Sequence, residues 1–291
     1  MKKSTTKQDS KPLIGFIGQG FIGKNYADDF EHRGFDVVRY AMEEPYRANK
    51  EKIKECDIVF VAVPTPTTPK GFDYSIVEKV LALVGEGKIA VIKSTLLPGT
   101  TEKLQSKYPN IFVLHSPEFL RAVTAKQDAA HPNRNIVGIP IETPLYRQKA
   151  EEVIQTFPKA PYEVVMGARE AEFVKYGGNN FFYVKVVYMN LLYDLVQKVG
   201  ADFATIRNAM EADPRIGTSH MEPIHDGGRG AGGLCFIKDF SAFAELYKKL
   251  VNDPLGKKVL QALQDKNNNL LDMSGKDADL LRGVYGKGVR S

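Results

Sequence analysis

The sequence predicts an α/β domain built on a doubly wound parallel sheet, followed by an all-helical domain. Short β-branched runs alternate with helical stretches from Leu13 to about Val165, which is the rhythm of parallel strands joined by crossover helices. The run Ile58–Val63 is apolar throughout, as expected of a strand that helices cover on both faces. After Gly167 the apolar residues recur at helical spacing instead. A chain of 291 residues is long enough for both domains.

Seven segments carry the strand pattern and form the predicted sheet. They are Leu13–Ile17, Asp36–Tyr40, Asp57–Val63, Ile89–Ile92, Ile111–Leu114, Ile136–Ile139 and Tyr162–Val165. We therefore place the α/β domain at residues 12–167, after a short tail at 1–11.

The helical domain begins with one long predicted helix, Arg169–Val199, in which Gly177 and Gly178 are the only helix-breaking residues. Gly200 is well placed to end it. Further helices are predicted at Asp202–Met210, Lys238–Leu250 and Leu255–Leu271. The domain is predicted to span residues 168–272, followed by a tail at 273–291.

Charge and composition exclude several classes of function. The net charge of +5 is carried by the ends, since residues 1–11 contribute +3 and residues 276–291 contribute +2, so the neutral body argues against a nucleic-acid partner. No export signal is evident, and no apolar run approaches the roughly 18 residues that span a bilayer, so we expect a cytoplasmic protein without a membrane partner. Neither the two cysteines nor the residues His220, Glu222, His225 and Asp226 fit a usual ligand spacing, so no metal site is predicted.

The first strand leads directly into a glycine fingerprint formed by Gly18, Gly20 and Gly23. In such a loop the first glycine permits a tight turn, the second lets the backbone approach a pyrophosphate, and the third lets the helix pack on the strand. The phosphates then lie at the helix N-terminus, here at Phe21 and Ile22. The sequence therefore predicts a Rossmann domain that binds NAD or NADP.

The choice between the two cofactors depends on the end of the second strand. An acidic residue about 20 positions after the glycines binds the ribose hydroxyls of NAD, whereas an arginine accepts the 2′-phosphate of NADP. Arg39, Tyr40 and Ala41 occupy this place, and Glu43 and Glu44 lie just beyond it. Either a glutamate reaches back or Arg39 binds a 2′-phosphate, and we favour NAD.

Two local patterns carry candidate chemistry. Cys235 follows a glycine pair that permits close backbone approach, and Lys238 would favour its nucleophilic thiolate. The alternative is a buried core cysteine, which is the interpretation we give Cys56. Lys175 and Asn179 project from one face of the long helix, and the glycines between them indicate that something packs closely there. The group that packs there is either a substrate or, in a tight helix crossing, a neighbouring helix, in which case Lys175 would be exposed.

With these patterns the sequence resembles the nucleotide-sugar 6-dehydrogenases, the UDP-glucose and GDP-mannose dehydrogenase group, from about Leu13 to Asn268. Six strings in the same order carry the resemblance: Phe60–Pro66, Ile92–Thr101, Ser116–Leu120, Lys175–Asn179, Asp213–Gly217 and Gly232–Asp239. The resemblance implies an NAD-dependent oxidation of a sugar C6 alcohol to a uronate by four electrons, as polysaccharide biosynthesis requires. Cys235 matches the nucleophile that forms a thiohemiacetal and then a thioester, and Lys175 and Asn179 match the groups that stabilise the oxyanion.

The resemblance assigns further roles. Asp239 and Thr95 match the pair that holds the attacking water, and Glu118 matches the general base of thioester hydrolysis. The positions that line the cofactor are Val63, Pro64, Thr65, Ser94 and Lys238. The positions that contact the substrate, a nucleotide sugar, are Phe119, Leu120, Arg215 and Gly232. Since Arg215 matches an arginine that reaches the substrate of the neighbouring subunit, the resemblance implies a homodimer with the 169–199 helix at its core.

The chain departs from the family pattern in three respects. The second strand lacks its acidic residue, Arg121–Val123 stands where a Glu-Gly pair is usual, and Ala231 replaces an aromatic residue. Family members also continue into another Rossmann-like domain that holds the nucleotide, and this chain stops about where that domain would begin. Two alternatives stay open: a β-hydroxyacid dehydrogenase, which shares the two-domain plan and the Lys-x-x-x-Asn spacing, and a catalytically idle cofactor-binding protein.

Overall fold

The computed structural model describes residues 11–286, in which the chain forms two compact units. The first unit extends to Lys175 and omits Pro66–Asp73. The second unit combines Pro66–Asp73 with the chain from Tyr176 onward. Of the predicted tails at 1–11 and 273–291, residues 1–10 and 287–291 lie outside the described residues.

A seven-stranded sheet forms the centre of the first unit. In chain order its strands are β1 (Ile14–Ile17), β2 (Val37–Tyr40), β3 (Ile58–Val61), β4 (Ile89–Ile92), β5 (Phe112–His115), β6 (Arg134–Ile139) and β7 (Tyr162–Gly167). Their spatial order is β2-β1-β3-β4-β5-β6-β7, so all seven predicted strands are confirmed. Because β1, β3 and β4 are buried along their whole length, they are apolar at every position, which made them visible in the sequence.

The direction of two strands, β6 and β7, differs from the prediction of an all-parallel sheet. Strand β6 runs antiparallel to β5, with His115 opposite Gly138, while β7 is parallel to β6. The sheet is therefore mixed. Composition and periodicity predict that a strand exists but contain no signal for its direction when it is buried.

Phenylalanine rings pack the core on one face of this sheet. The ring of Phe16 stacks on Phe60 at a centroid distance of 5.0 Å and meets Phe30 edge-on at 5.5 Å. Phe157 packs against both Phe30 and Phe60. These contacts fix helix α1 (Phe21–His32) on the strands that lead into the glycine loop.

The remaining α-helices fall into two groups: those up to Ile154 alternate with strands along the chain of the first unit, and those from Ala168 onward follow the last strand of the sheet and supply the helices of the second unit. They are α2 (Ser75–Leu81), α3 (Thr100–Lys107), α4 (Ala125–Ala130), α5 (Pro144–Ile154), α6 (Ala168–Val199), α7 (Phe203–Glu211), α8 (Gly233–Leu250), α9 (Pro254–Ser274) and α10 (Ala278–Tyr285). The long predicted helix is confirmed as α6. Between residues 11 and 286, no helix combines the length and the apolar composition needed to cross a membrane.

Two helices of the second unit, α8 and α10, differ from the sequence prediction. Helix α8 begins at Gly233, five residues before the predicted Lys238, so Cys235 lies in its first turn. Helix α10 occupies part of the stretch from 273 that was predicted to be a tail. Its Leu281 and Val284 pack with Ile237 of α8 in one apolar cluster.

Candidate active site

The glycine loop after β1 has the shape of a pyrophosphate cradle. Gly18 adopts φ +93°, and a Cβ there would lie 2.2 Å from the carbonyl oxygen of Ala62. A Cβ on Gly23 would lie 1.9 Å from the carbonyl oxygen of Gly18, so α1 can approach the strand only with glycine at this position. The first and third glycines of the fingerprint are thus each required by a backbone contact.

The middle glycine faces open space. A Cβ on Gly20 would meet nothing within 4 Å, and Gly20 caps α1 without any side-chain hydrogen bond to the first turn. The N–H groups at Phe21 and Ile22 therefore begin a helix whose positive end is uncapped by a side chain. The residues present fit the pyrophosphate of a dinucleotide, with room where the backbone would approach it.

The loop after β3 and the loop after β4, both beside the cradle, are joined by hydrogen bonds of side-chain hydroxyls. The backbone N–H of Val63 donates to Oγ of Ser94 at 2.9 Å, and Ser94 donates to the carbonyl oxygen of Val63 at 2.7 Å. Thr65 Oγ1 donates to the carbonyl oxygen of Thr95 at 2.9 Å. The predicted cofactor positions that follow β3 and β4, including the exposed Pro64, are therefore brought together at the carboxyl edge of the sheet.

Lys175 and Glu118 form a buried ion pair. The ammonium of Lys175 donates to Glu118 Oε1 at 2.6 Å and to the Glu118 carbonyl oxygen at 2.7 Å, and both residues are at most 6% exposed. The backbone N–H of Leu120 donates to Glu118 Oε2 at 2.9 Å. Phe119, which lies between Glu118 and Leu120 in the sequence, is half-buried, and the centre of its ring lies 5.8 Å from the Lys175 ammonium. The alternative of an exposed lysine is wrong, because the ion pair takes Lys175 into the protein.

Glu172 was missed in the sequence, although it lies one turn before Lys175 on α6. Its carboxylate is fully buried and accepts three hydrogen bonds: from the N–H of Gly99 at 2.5 Å, from the N–H of Thr101 at 2.8 Å and from Thr101 Oγ1 at 2.6 Å. Burial raises the pKa of Glu172 to about 7, against the three donors that favour its charged form. Glu172 therefore ties the start of α3 to the helix that carries Lys175.

Lys93 is a second buried group that the sequence analysis passed over. It follows β4 directly and is 4% exposed, with its ammonium 3.1 Å from Ser116 Oγ and 4.3 Å from the centre of the Tyr26 ring. Burial lowers the pKa of Lys93 to about 7, while Glu118 opposes that shift. A lysine directly after an apolar strand was the available signal.

In the second unit, Cys235 is exposed in the first turn of α8. Gly232 caps the helix, and Gly233 adopts φ +77° and donates its N–H to Asp277 Oδ2 at 2.7 Å. A Cβ on Gly232 would lie 2.0 Å from that carboxylate oxygen, so the glycine pair is needed for the approach of Asp277. The positive end of an 18-residue helix favours negative charge on the Cys235 sulfur.

The two cysteines have opposite surroundings. Cys56 is fully buried, and burial together with Asp57 raises the pKa of its thiol to about 11. Cys235 is exposed, so the alternative of a core cysteine is wrong for Cys235 and holds for Cys56. Exposure and the helix terminus both favour reactivity at Cys235 alone.

Asn179, Lys238 and Asp239 form a hydrogen-bonded group in the same unit. Asp239 is fully buried and accepts from Asn179 Nδ2 at 2.6 Å and from the Lys238 ammonium at 2.5 Å. The structure thus shows Lys238 paired with Asp239. A Cβ on Gly177 or Gly178 would meet no described atom within 4 Å, so the alternative of a tight helix crossing at these glycines finds no support in the described chain.

Arg215 lies at the surface of the second unit. It forms a bidentate pair with Asp213 at 2.6 and 3.0 Å, and its side chain is 87% exposed.

Among residues 11–286, no group of three or more His, Cys, Asp or Glu side chains is arranged to hold a metal ion.

Comparison with known proteins identifies the family. The model of the family's NAD-binding domain matches residues 44–157, and the model of its central domain matches residues 169–269. The chain belongs to the UDP-glucose/GDP-mannose dehydrogenase family. The first unit is therefore an NAD-binding domain, and NAD is its cofactor.

Individual relatives agree with this membership. An uncharacterized protein of Methanocaldococcus jannaschii is 31% identical over 92% of this chain and 34% of its own length. A UDP-glucose 6-dehydrogenase of Rickettsia bellii is 28% identical over 82% of this chain and 58% of its own length. A UDP-glucose dehydrogenase of Pyrobaculum islandicum has the same fold, with a TM-score of 0.76 and 26% identity over 94% of this chain and 73% of its own. The chain spans between about a third and three fifths of the length of these curated relatives.

A shorter enzyme shares the fold alone. A 3-hydroxyisobutyrate dehydrogenase of Mycobacterium tuberculosis has a TM-score of 0.70 at 15% identity, and the match covers 97% of this chain and 100% of that one. At this identity the likeness extends to the fold and to nothing else.

Replacing Glu172 tests its structural role. We expect Glu172→Ala to lower the free energy of unfolding by about 2–4 kcal/mol, because the buried N–H groups of Gly99 and Thr101 would each lose their acceptor at about 1–3 kcal/mol. Chemical denaturation followed by circular dichroism measures the loss. Glu170→Ala, an exposed glutamate of the same turn, is the control; equal losses in the two variants would contradict this role.

Proposed function

We propose that the chain oxidises the C6 alcohol of a nucleotide sugar to a uronate with NAD, through a thioester on Cys235. The observation that carries the proposal is the exposed Cys235 thiol in the first turn of α8, in the unit that also holds the Asn179–Asp239 pair. A nucleophilic thiol is needed only when an aldehyde must be oxidised further, since capture of the aldehyde allows a second hydride to leave. The cytoplasm is the proposed compartment, and a uronate for polysaccharide biosynthesis is the proposed product.

In this proposal Cys235, Lys175 and Asn179 each have a separate role in the oxidation. When bound, NAD accepts the hydride released in each of the two oxidations. The Cys235 sulfur adds to the aldehyde carbon, and the resulting oxyanion accepts hydrogen bonds from the ammonium of Lys175 and from the amide N–H of Asn179. Asn179 has two N–H donors, of which one is bound to Asp239, so the second can donate to an oxyanion.

Hydrolysis ends the cycle. Loss of the second hydride converts the thiohemiacetal into a thioester, and water then breaks the carbon–sulfur bond to give the acid and restore the thiol. Glu118 is the proposed base, and its ion pair with Lys175 keeps it in one position. Thr95 and Asp239 are the proposed water-holding groups.

The main alternative is a β-hydroxyacid dehydrogenase, which the Lys175 and Asn179 spacing fits equally well. Such an enzyme releases its product after one hydride transfer, so it has no use for a thiol. The surroundings of Cys235 are the reason we prefer the nucleotide-sugar reaction. Counting NADH per substrate consumed separates the two, because the proposal requires two and the alternative one.

We further propose that the chain acts as a homodimer through α6. Within the second unit this helix exposes a stripe of large apolar side chains at intervals of three or four residues. They are Phe181, Val184, Tyr188, Leu191, Leu195 and Val199, each at least 37% exposed. A helix with such an apolar face is stable in water when a partner covers it. The occupant we propose is α6 of a second copy, as the family resemblance implies.

Substitution of the nucleophile tests the reaction. We expect Cys235→Ser to reduce uronate formation by at least about a thousandfold, because a hydroxyl is a far weaker nucleophile at neutral pH. The assay uses UDP- and GDP-sugars with NAD and follows both NADH and the acid by mass spectrometry. Cys56→Ala is the matched control and should retain activity. Unchanged uronate production in Cys235→Ser, or one NADH per substrate in the unaltered protein, would contradict the proposal.

Charge placed on the stripe tests the homodimer. We expect the unaltered chain to sediment at twice its mass of 32.4 kDa, and the double variant Leu191→Asp and Leu195→Asp to sediment as a monomer. The physical reason is that two carboxylates would be buried without partners in the proposed interface. Leu255→Asp, which changes a leucine of α9 that is exposed at least as much as these two, should leave the dimer intact. A monomeric unaltered chain would refute this assembly.

A further inference from the structure

An arginine near the cofactor cradle is already bound by two acids. Arg39 of β2 forms a bidentate pair with Glu31, with Nε–Oε1 at 2.9 Å and Nη2–Oε2 at 2.7 Å. Its remaining nitrogen, Nη1, lies 2.7 Å from Asp28 Oδ1. The arginine side chain is 12% exposed, and both acids belong to α1. The guanidinium is therefore held on the helix face by three charge-assisted contacts.

This arginine also adjoins the glycine loop. Its Nη1 lies 3.4 Å from Gln19 Oε1, and the other side-chain atom of that amide, Nε2, donates to the carbonyl oxygen of Gly18 at 3.1 Å. In a Rossmann domain the adenosine ribose lies where β2 ends, beside this loop. Ala41 is buried at that end and offers no carboxylate, and Glu43 and Glu44 are exposed. Arg39 is thus the charged group of β2 that adjoins the cradle, and its charge is engaged elsewhere.

The two cofactors would meet this group differently. A 2′-phosphate is a dianion, and to bind it Arg39 would have to leave Glu31 and Asp28, whose combined charge outweighs its own. Lys24, 3.6 Å from Asp28 and 60% exposed, offsets part of that charge from the solvent side. The ribose of NAD carries neutral hydroxyls at this place and requires no such rearrangement. The pairs therefore penalise NADP and leave NAD unaffected.

We propose that Asp28 and Glu31 set the preference for NAD over NADP by holding Arg39 away from the 2′ position. The acidic selector is thus located on α1 instead of at the end of β2. Cofactor choice becomes a property of the arginine's partners, and removing them converts Arg39 into a receptor for a 2′-phosphate.

Nucleotide binding without any sugar tests this directly. The chain contains no tryptophan, so the fluorescence of NADH and NADPH reports their binding without a tryptophan signal. We expect the unaltered protein to bind NADH at least about tenfold more tightly than NADPH. The double variant Asp28→Asn and Glu31→Gln should tighten NADPH binding by about tenfold and change NADH binding by less than about threefold.

Three further variants separate the proposed cause from general electrostatics. Glu43→Gln combined with Glu44→Gln removes the same two charges nearby and should leave the NADPH affinity unchanged. Adding Arg39→Ala to the Asp28/Glu31 variant should abolish its gain, and Arg39→Ala alone should not weaken NADPH. Equal gains in the two double variants, comparable NADH and NADPH affinities in the unaltered protein, or loss of NADPH binding in Arg39→Ala would each overturn the proposal. Since binding needs neither Cys235 nor a sugar, this result is independent of the proposed reaction.

Discussion

The buried ion pair between Lys175 and Glu118 is the interaction on which the arrangement of the first unit depends. Two charges that are at most 6% exposed lose most of their hydration, and an apolar pair of similar volume would often be as stable or more stable. Breaking the pair would cost about 3–5 kcal/mol, because one charge would stay buried alone. The pair joins the string after β5 to the start of α6, and Glu172 joins the same helix to the start of α3. Together they fix the carboxyl edge of the sheet.

The sequence predicted the fold well where local patterns determine it. All seven sheet strands and the long helix were found, because buried strands are apolar at every position and α6 keeps a helical period over 32 residues. The directions of β6 and β7 were missed because no local pattern in the sequence indicates strand direction. The start of α8 was placed five residues late, because the partner of Gly233 is Asp277, 44 residues further along the chain.

The site was predicted unevenly for a related reason. The glycine fingerprint and the candidates Cys235, Lys175 and Asn179 lie in short sequence motifs that can be recognised without a structure, and the roles of these residues stay proposals. Which partner each charge has is a matter of tertiary structure. The sequence left Arg39 as a possible phosphate ligand, whereas the structure shows it bound to two acids of the preceding helix. Glu172 and Lys93 were passed over because burial, and not their type, makes them important.

The two adjacent glycines of α6 have a consequence for engineering. Each costs a helix about 1 kcal/mol relative to alanine, and the described chain offers no steric reason for either. Methyl groups at 177 and 178 would therefore suit the fold while filling space beside Lys175 and Asn179. If the proposed substrate approaches the helix backbone here, replacing the two glycines would trade access to the site for rigidity of the helix, so a thermostabilised version of this chain would bind that substrate less well.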